Sequence, residues 1–359
     1  MGRYKVIVYA ICKNEEQFVS RYMASMREAD GVYILDTGST DETMEKLKEE
    51  GAVVTRELIS PWRFDAARNR SLDLVPEDAD ICVCTDLDEC FLPGWREAVE
   101  KAWAQGADQL RYKYVWSFTE SGGEDVVFYA DKIHARHGFS WVHPVHEVIT
   151  CTRGTPRRVL CEQMQLNHYP DPNKSRGQYL PLLETAVAEA PEDDRSRHYL
   201  GREYFFHGEW DKCISTLKEH LKMPSATWKD ERCQSLRYIA RAYGEKGSRW
   251  QQERYLLYAA AEAPHLREPW LDLAQFYYRD MNWPAVLFFC ERALEIHDRP
   301  RTYITEGASY GILPHDLLSV AAFHLGLKEK ALAAVSEAIA LEPHNKRLKN
   351  NREWIEKMS

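Results

Sequence analysis

Asp86-Leu87-Asp88 is the pair of residues whose type and spacing say most about chemistry. Two carboxylates two positions apart at a strand end can bind a hard divalent cation, which in turn bridges the oxygens of a diphosphate. A second such pair, Asp78-Ala79-Asp80, precedes the same apolar run (81–85) and so lies in a turn on the opposite edge; for either pair the plainer reading is a solvated turn. Asp36-Thr37-Gly38-Ser39-Thr40-Asp41 follows another apolar run. Its glycine lets the backbone turn closely, and its acidic group can accept hydrogen bonds from a ribose or nucleobase, against the alternative of an ordinary turn with a helix cap. Asn14-Glu15-Glu16 serves equally as a binding loop or a helix start. Arg68, inside Trp62-Arg63-Phe64-Asp65-Ala66-Ala67-Arg68-Asn69, can offer a planar guanidinium to a phosphate or base, against the default of a surface arginine. In His143-Pro144-Val145-His146-Glu147, a carboxylate beside two histidines can take the proton of an attacking hydroxyl, or His146 can ligate a metal while Glu147 steers it. The alternative there is a strand end with satisfied polar groups.

Such residues need elements to hold them. Residues 4–11 (YKVIVYAI) read as a buried strand and 15–28 as a helix with Phe18, Tyr22 and Met26 on one face. A second strand, 31–35, leads into Asp36; Ser39 and Glu42 have capping-box spacing for a helix that Gly51 stops. Strand 52–57, helix 64–75 and strand 81–85 follow, the last carrying Cys82 and Cys84 as small hydrophobes. This alternation predicts an α/β domain with a parallel, doubly wound, Rossmann-like sheet, in which ligands bind outside the carboxyl ends of the strands. From 108 to 150 the chain is strand-rich, and Tyr112, Tyr114, Trp116 and Phe118 on alternate positions read as one apolar strand face that needs no ligand. His168-Tyr169-Pro170-Asp171-Pro172 closes this part, so the expected domains are 1–170 and 171–359. Beyond it the pattern is helical and periodic. Leu200-Gly201, Ile239-Ala240 and Leu273-Ala274 recur with aromatics three or four residues on, and Ala240 to Ala274 is a step of 34. Ala259, Ala293 and Ala338 take the close-packing site of the second helices, and Pro264 and Pro343 end two of the pairs. The pattern resembles the tetratricopeptide repeat over 235–343 and more loosely over 195–224, with 345–358 as a capping helix, so the second domain is expected to be all-α.

Four motifs stand in register at the strand ends: Ala10-Ile11-Cys12-Lys13-Asn14-Glu15, Leu35-Asp36-Thr37-Gly38-Ser39-Thr40-Asp41-Glu42-Thr43, Ala67-Arg68-Asn69 and Asp86-Leu87-Asp88-Glu89. Their order and spacing over about residues 4–170 resemble the family 2 glycosyltransferases of GT-A fold, a subgroup of which carries similar helical repeats. The resemblance implies an enzyme of hexosyltransferase type that moves a sugar from a nucleotide-sugar donor, a UDP-sugar above all, with inversion and with Mn2+ or Mg2+ as cofactor. It implies that Asn14 and Asp36 hold the nucleoside, with Ala10, Glu15, Gly38 and Leu87 in the same donor motifs. Arg68 would meet the base or pyrophosphate, and Asp86 and Asp88 the ribose and the metal. Glu147 falls at the general-base position with His146 beside it, and either His146 or His168 fits as third metal ligand. Thr37 departs from the family, where many relatives carry a second aspartate.

Composition bounds the remaining possibilities. The 359 residues suffice for two cores, and 44% apolar with 12% aromatic residues disfavours disorder. Net charge is −9, with 20 basic against 28 acidic residues through Pro170 and 27 against 28 beyond it. Neither half is a basic body, so nucleic acid is a poor partner and a DNA base a poorly supported acceptor. The longest apolar run, 6–12, is far short of a membrane span, and Lys13, Glu15 and Glu16 cut it off before any signal-peptide pattern forms. Nine cysteines without a regular framework point to a reducing, cytoplasmic setting. A nucleotidyltransferase would want a glycine-rich basic loop after the first strand, and Cys12-Lys13-Asn14-Glu15-Glu16 has no glycine. A repeat scaffold with an inactive nucleotide-sugar-binding domain is countered by the intact acidic and arginine motifs. Helical repeats form grooves suited to an extended chain, so the expected acceptor is a peptide or protein, with a saccharide nearly equal; a homodimer is left open.

Overall fold

The computed structural model describes residues 4–119, 122–172 and 177–358. The run VIVYAIC forms β1 (Val6–Cys12), buried at every position because it runs through the middle of a sheet covered on both faces. Its side chains alternate between two layers. Val6, Val8, Ala10 and Cys12 join Tyr22 and Met26 of α1 (Val19–Met26), Leu47 of α2 (Thr43–Glu49), and Trp95 and Val99 of α4 (Trp95–Trp103). Ile7 and Tyr9 pack instead on Leu72 of α3 (Phe64–Asp73), Val75 and Trp141. Strands β2 (Gly31–Asp36), β3 (Val53–Arg56) and β4 (Ile81–Cys84) run parallel beside β1 in the order β3-β2-β1-β4. Their carboxyl ends therefore face one edge.

The other half of the sheet is mixed rather than uniformly parallel. Strand β5 (Glu89–Phe91) follows the Asp86–Asp88 turn, and β6 (Gln109–Val115), β7 (Val127–Ala135) and β10 (Arg158–His168) complete the order β3-β2-β1-β4-β7-β6-β10-β5. β7 runs antiparallel to both β4 and β6, and β5 antiparallel to β10, so four of the seven described strand pairs are parallel. A hairpin of β8 (Phe139–Val142) and β9 (Val148–Cys151) stands apart from the sheet. Local corrections follow from tertiary contacts. Ser39 does not cap α2: its hydroxyl accepts from the Asn14 backbone N–H at 2.9 Å, and the helix starts at Thr43. The expected aromatic strand face also stops early, since β6 ends at Val115 and Trp116 is 46% exposed.

Two compact units divide at 186/187, one helix beyond the proline pair at 170–172. Helix α5 (Tyr179–Glu189) begins in the first unit because the Tyr179 ring meets Phe64 and His146 edge-on. The second unit is a succession of helix pairs: α6 (Asp194–Phe206) with α7 (Trp210–His220), α8 (Lys229–Glu245) with α9 (Arg249–Glu262), α10 (Glu268–Tyr278) with α11 (Trp283–Leu294), and α12 (Leu313–His324) with α13 (Lys328–Leu341). Helix α14 (Lys346–Glu356) ends the succession, its N-terminus capped by the Asn345 side chain. Ala240, Ala259, Ala274, Ala293 and Ala338 are all fully buried, as close helix approach demands. All nine cysteines are free thiols. Among the described residues no helix is long and apolar enough to cross a membrane.

Candidate active site

The loops after β1 and β2 are tied to each other. Asn14 sits at φ 54, a left-handed conformation that asparagine tolerates, and its Oδ1 accepts from the Thr40 N–H at 2.7 Å. Thr43 Oγ1 accepts from the Glu15 N–H, and Glu16 Oε2 from the Glu42 N–H. Asp36 is fully buried and accepts the N–H groups of Gly38 and Ser39 at 3.1 Å, so its carboxylate shapes its own turn. Gly38 has φ 118, a backbone conformation that favours glycine. Thr37 donates its hydroxyl hydrogen to the Cys12 carbonyl and ties β2 to β1. Ala10 and Leu87 are fully buried.

Arg68, on the first turns of α3, is 4% exposed and is the hub of a charged network. Its Nε donates to Glu147 Oε1 at 2.6 Å and its Nη2 to Asp86 Oδ1 at 2.7 Å, while its Nη1 lies 3.4 Å from Cys84 Sγ. The guanidinium also lies over the Trp141 ring, 5.2 Å from its centre. Burial opposes the Arg68 charge, but Asp86, Cys84 and Glu147 outweigh it and hold the group firmly protonated. Asn69 reads the Trp141 backbone in both directions, its amide donating to the carbonyl and its Oδ1 accepting from the N–H, each at 2.8 Å. Pro144 O accepts from the Phe64 N–H at 2.9 Å. Helix α3 thus clamps the segment that carries His143-Pro144-Val145-His146-Glu147. His143 and His146 are left-handed, at φ 76 and 53, an uncommon state for histidine that the clamp sustains.

Across the β4 edge, Lys132 Nζ donates to Glu89 Oε1 at 2.9 Å and to Asp86 Oδ2 at 3.4 Å, and the Tyr114 hydroxyl donates to Glu89 Oε1 at 2.7 Å. Glu89 Oε2 accepts from the Asp86 N–H at 3.0 Å. Asp88 meets a different partner: His168 Nε2 lies 3.5 Å from Asp88 Oδ2. The other nitrogen, Nδ1, donates to the Trp116 carbonyl at 3.0 Å, and the Trp116 ring stacks on the imidazole at 4.2 Å. Burial lowers the His168 pKa, but Asp88 and the Trp116 carbonyl raise it more, and the balance is upward.

The geometry sorts the expected residues. Asp88 and His168 are brought together; Asp86 is instead shared by Arg68 and Lys132. Glu147 joins Arg68, and the His146 ring packs on Tyr179 at 5.6 Å. Arg68 faces carboxylates rather than presenting its fork outward. The other acidic pair, Asp78 and Asp80, is structural: the Lys5 Nζ donates to Asp78 and the Lys5 N–H to Asp80, fixing the approach to β1. Sequence reasoning missed Lys132 and Trp116 as parts of the site and gave Glu89, within the Asp86–Glu89 motif, no role of its own. The available signal was a lone lysine inside a mostly apolar strand, since an inward lysine must be paired.

The residues fit a divalent cation. With Nδ1 committed as a donor, neutral His168 turns a lone pair toward an anionic oxygen, an arrangement that a proton or a metal ion relieves. Asp86, Glu89 and Glu147 share the cations Arg68 and Lys132, while Asp88 faces His168.

Similar solved structures include the APC/C hetero-tetramer Cut9-Hcn1 (11% identity over 49% of this chain and 32% of that one, TM-score 0.37). They also include YrrB, described as a TPR protein with an unusual peptide-binding site (12%, 48% and 81%, TM-score 0.38), and yeast Tom70 (13%, 52% and 37%, TM-score 0.39). The chain thus spans about a third of the length of the first and third of these. No curated protein matches it. Residues 7–162, most of the sheet domain, match the family model described as Glycosyl transferase family 2.

Proposed function

We propose that the protein is a metal-dependent, inverting glycosyltransferase that moves a sugar from a nucleotide-sugar donor, a UDP-sugar, to a peptide, protein or saccharide acceptor. The observation that carries the metal-dependent reading is the Asp88–His168 pair, with the imidazole oriented by the Trp116 carbonyl at the carboxyl edge of a family 2 sheet. Asp88 and His168 would hold Mn2+ or Mg2+, with Asp86 next to them. Such an ion supplies charge neutralisation for the departing nucleoside diphosphate. Asn14, Asp36 and Gly38 shape the loops that receive the nucleoside, and Ala10, Glu15 and Leu87 form the floor on which those loops stand. Arg68 acts by position: it holds Asp86 and Glu147 at fixed places on either side of its guanidinium. Glu147 Oε takes the acceptor proton as the nucleophile attacks. The succession of helix pairs offers an extended surface for a chain-like acceptor.

A panel of nucleotide sugars, scored by thermal shift with and without Mn2+, tests this reading. One UDP-sugar should raise the midpoint only when Mn2+ is present, by about 2.7 kcal/mol of stabilisation at a hundredfold excess over Kd. Asp88→Ala should lose both the metal-dependent shift and turnover while keeping its fold. Full activity of Asp88→Ala in chelator, or a panel with no shift at all, overturns it.

A further inference from the structure

We propose that the helical unit holds a second divalent-cation site, of the Zn2+ class, formed by Asp194, His220 and Glu231. One ligand atom from each residue lies within 4.8 Å of the others, on three different helices, α6, α7 and α8. His220 and Glu231 are buried, and His220 Nε2 is 3.5 Å from Glu231 Oε1.

The independent sign of a ligand is His220 itself. Its side chain is fully buried, and Nε2 makes no hydrogen bond of good geometry, only the 3.5 Å approach to Glu231 Oε1. A buried nitrogen so poorly satisfied is unfavourable unless a ligand meets it. The opposite nitrogen, Nδ1, lies 3.0 Å from Ser235 Oγ, which also meets His198 Nδ1 at 2.7 Å. A serine hydroxyl has one hydrogen, so at least one of these two rings must donate from Nδ1 to Ser235. When His220 is that ring and is neutral, its Nε2 lone pair points among carboxylate oxygens. A cation placed there removes the repulsion and satisfies the nitrogen.

The supports expected behind metal ligands are present. Ser235 orients the imidazole, and the Tyr303 hydroxyl donates to the other Glu231 oxygen, Oε2, at 2.6 Å. Zinc at about 2.0–2.2 Å from each ligand wants donors roughly 3.5 Å apart. The His220–Glu231 distance already meets this, and an oxygen of Asp194, half-buried at the start of α6, lies within 4.8 Å of both. One imidazole and two carboxylates balance a divalent charge and favour zinc over magnesium. The ion would pin α6, α7 and α8 together and so stiffen the start of the repeats.

The test uses full-length Asp88→Ala, so that uptake at the other proposed metal site is suppressed, stripped with chelator and titrated with Zn2+ by calorimetry. Uptake of one equivalent is expected, with a rise in midpoint of about 5 °C or more at a hundredfold excess over Kd. Hydrogen exchange should slow in peptides covering 194–199, 218–222 and 229–236. Glu231→Gln should weaken uptake at least tenfold, and Tyr303→Phe, which leaves all three ligands in place, about tenfold. If Glu231→Gln does not fold, the exchange data and Tyr303→Phe decide. No Zn2+ uptake, or uptake without protection of those peptides, overturns the proposal and leaves a buried His220–Glu231 ion pair.

Discussion

Replacing Arg68 by methionine, which keeps much of the volume, strands two carboxylates at once. Removing one member of a buried ion pair typically costs about 3–5 kcal/mol, because the remaining charge is left desolvated. Here the two partners differ. Glu147 is 12% exposed in its side chain and loses its 2.6 Å contact, whereas Asp86 is 32% exposed and keeps Lys132 at 3.4 Å. Asp86 can thus recover solvation and Coulomb energy that Glu147 cannot, which places the expected loss near the lower bound, about 3 kcal/mol. For a unit of this size that corresponds to a midpoint roughly 6–12 °C lower. Hydrogen exchange of β1 and β4 peptides in the intact chain reads the stability of this unit directly. The decisive measurement is a double-mutant cycle with Glu147→Gln. If Glu147 carries most of the cost, neutralising it should restore at least about 1 kcal/mol to Arg68→Met. A loss under 1 kcal/mol for Arg68→Met, or a cycle additive within about 0.5 kcal/mol, refutes the reasoning.

Three further outcomes are expected. Glu147→Gln should lower transfer to a hydroxyl acceptor by at least a hundredfold, within the usual 10²–10⁴ for a lost general base, while nucleotide-sugar affinity stays within a few-fold; unchanged transfer would shift attention to His146. His134 is buried and its pKa is lowered to about 4 by desolvation; its Nδ1 donates to the Ala135 carbonyl and its Nε2 accepts from the Tyr9 hydroxyl. The unfolded chain therefore binds the proton first, so stability should fall by about 3 kcal/mol as pH drops from 6.5 toward 4, and His134→Gln should flatten that part of the curve. In the helical unit, a Cβ on Gly201 would lie 2.3 Å from Leu217 Cδ2 and 2.4 Å from its Cγ. Overpacking of about 1–3 kcal/mol should exceed the gain of roughly 1 kcal/mol in helix propensity, so Gly201→Ala lowers the urea midpoint; an unchanged midpoint would mean that α6 and α7 separate freely.

Much of this protein is legible along the chain because the relevant physics is local. An all-apolar seven-residue run makes β1 a central strand, turn residues follow β1 at Asn14 and β2 at Asp36, and a step of 34 between buried alanines announces stacked helix pairs. Strand polarity then puts the polar ends of β1, β2 and β4 on one edge, whatever the side chains do next. Partner choice is another matter. Arg68 meets Glu147 across 79 residues, Lys132 meets Glu89 across 43, and Asp88 finds His168 rather than a choice between two histidines. Ser39 leaves its helix cap for a neighbouring loop, and Trp116 leaves an apolar strand face to stack on an imidazole. The antiparallel insertion of β7 between β4 and β6, which carries Lys132 to the site, has no local signature either. Backbone periodicity and turn chemistry act over a few residues and so leave their mark in sequence order. A buried charge takes whichever opposite charge packing delivers within about 3 Å, and only the closed fold determines which one that is.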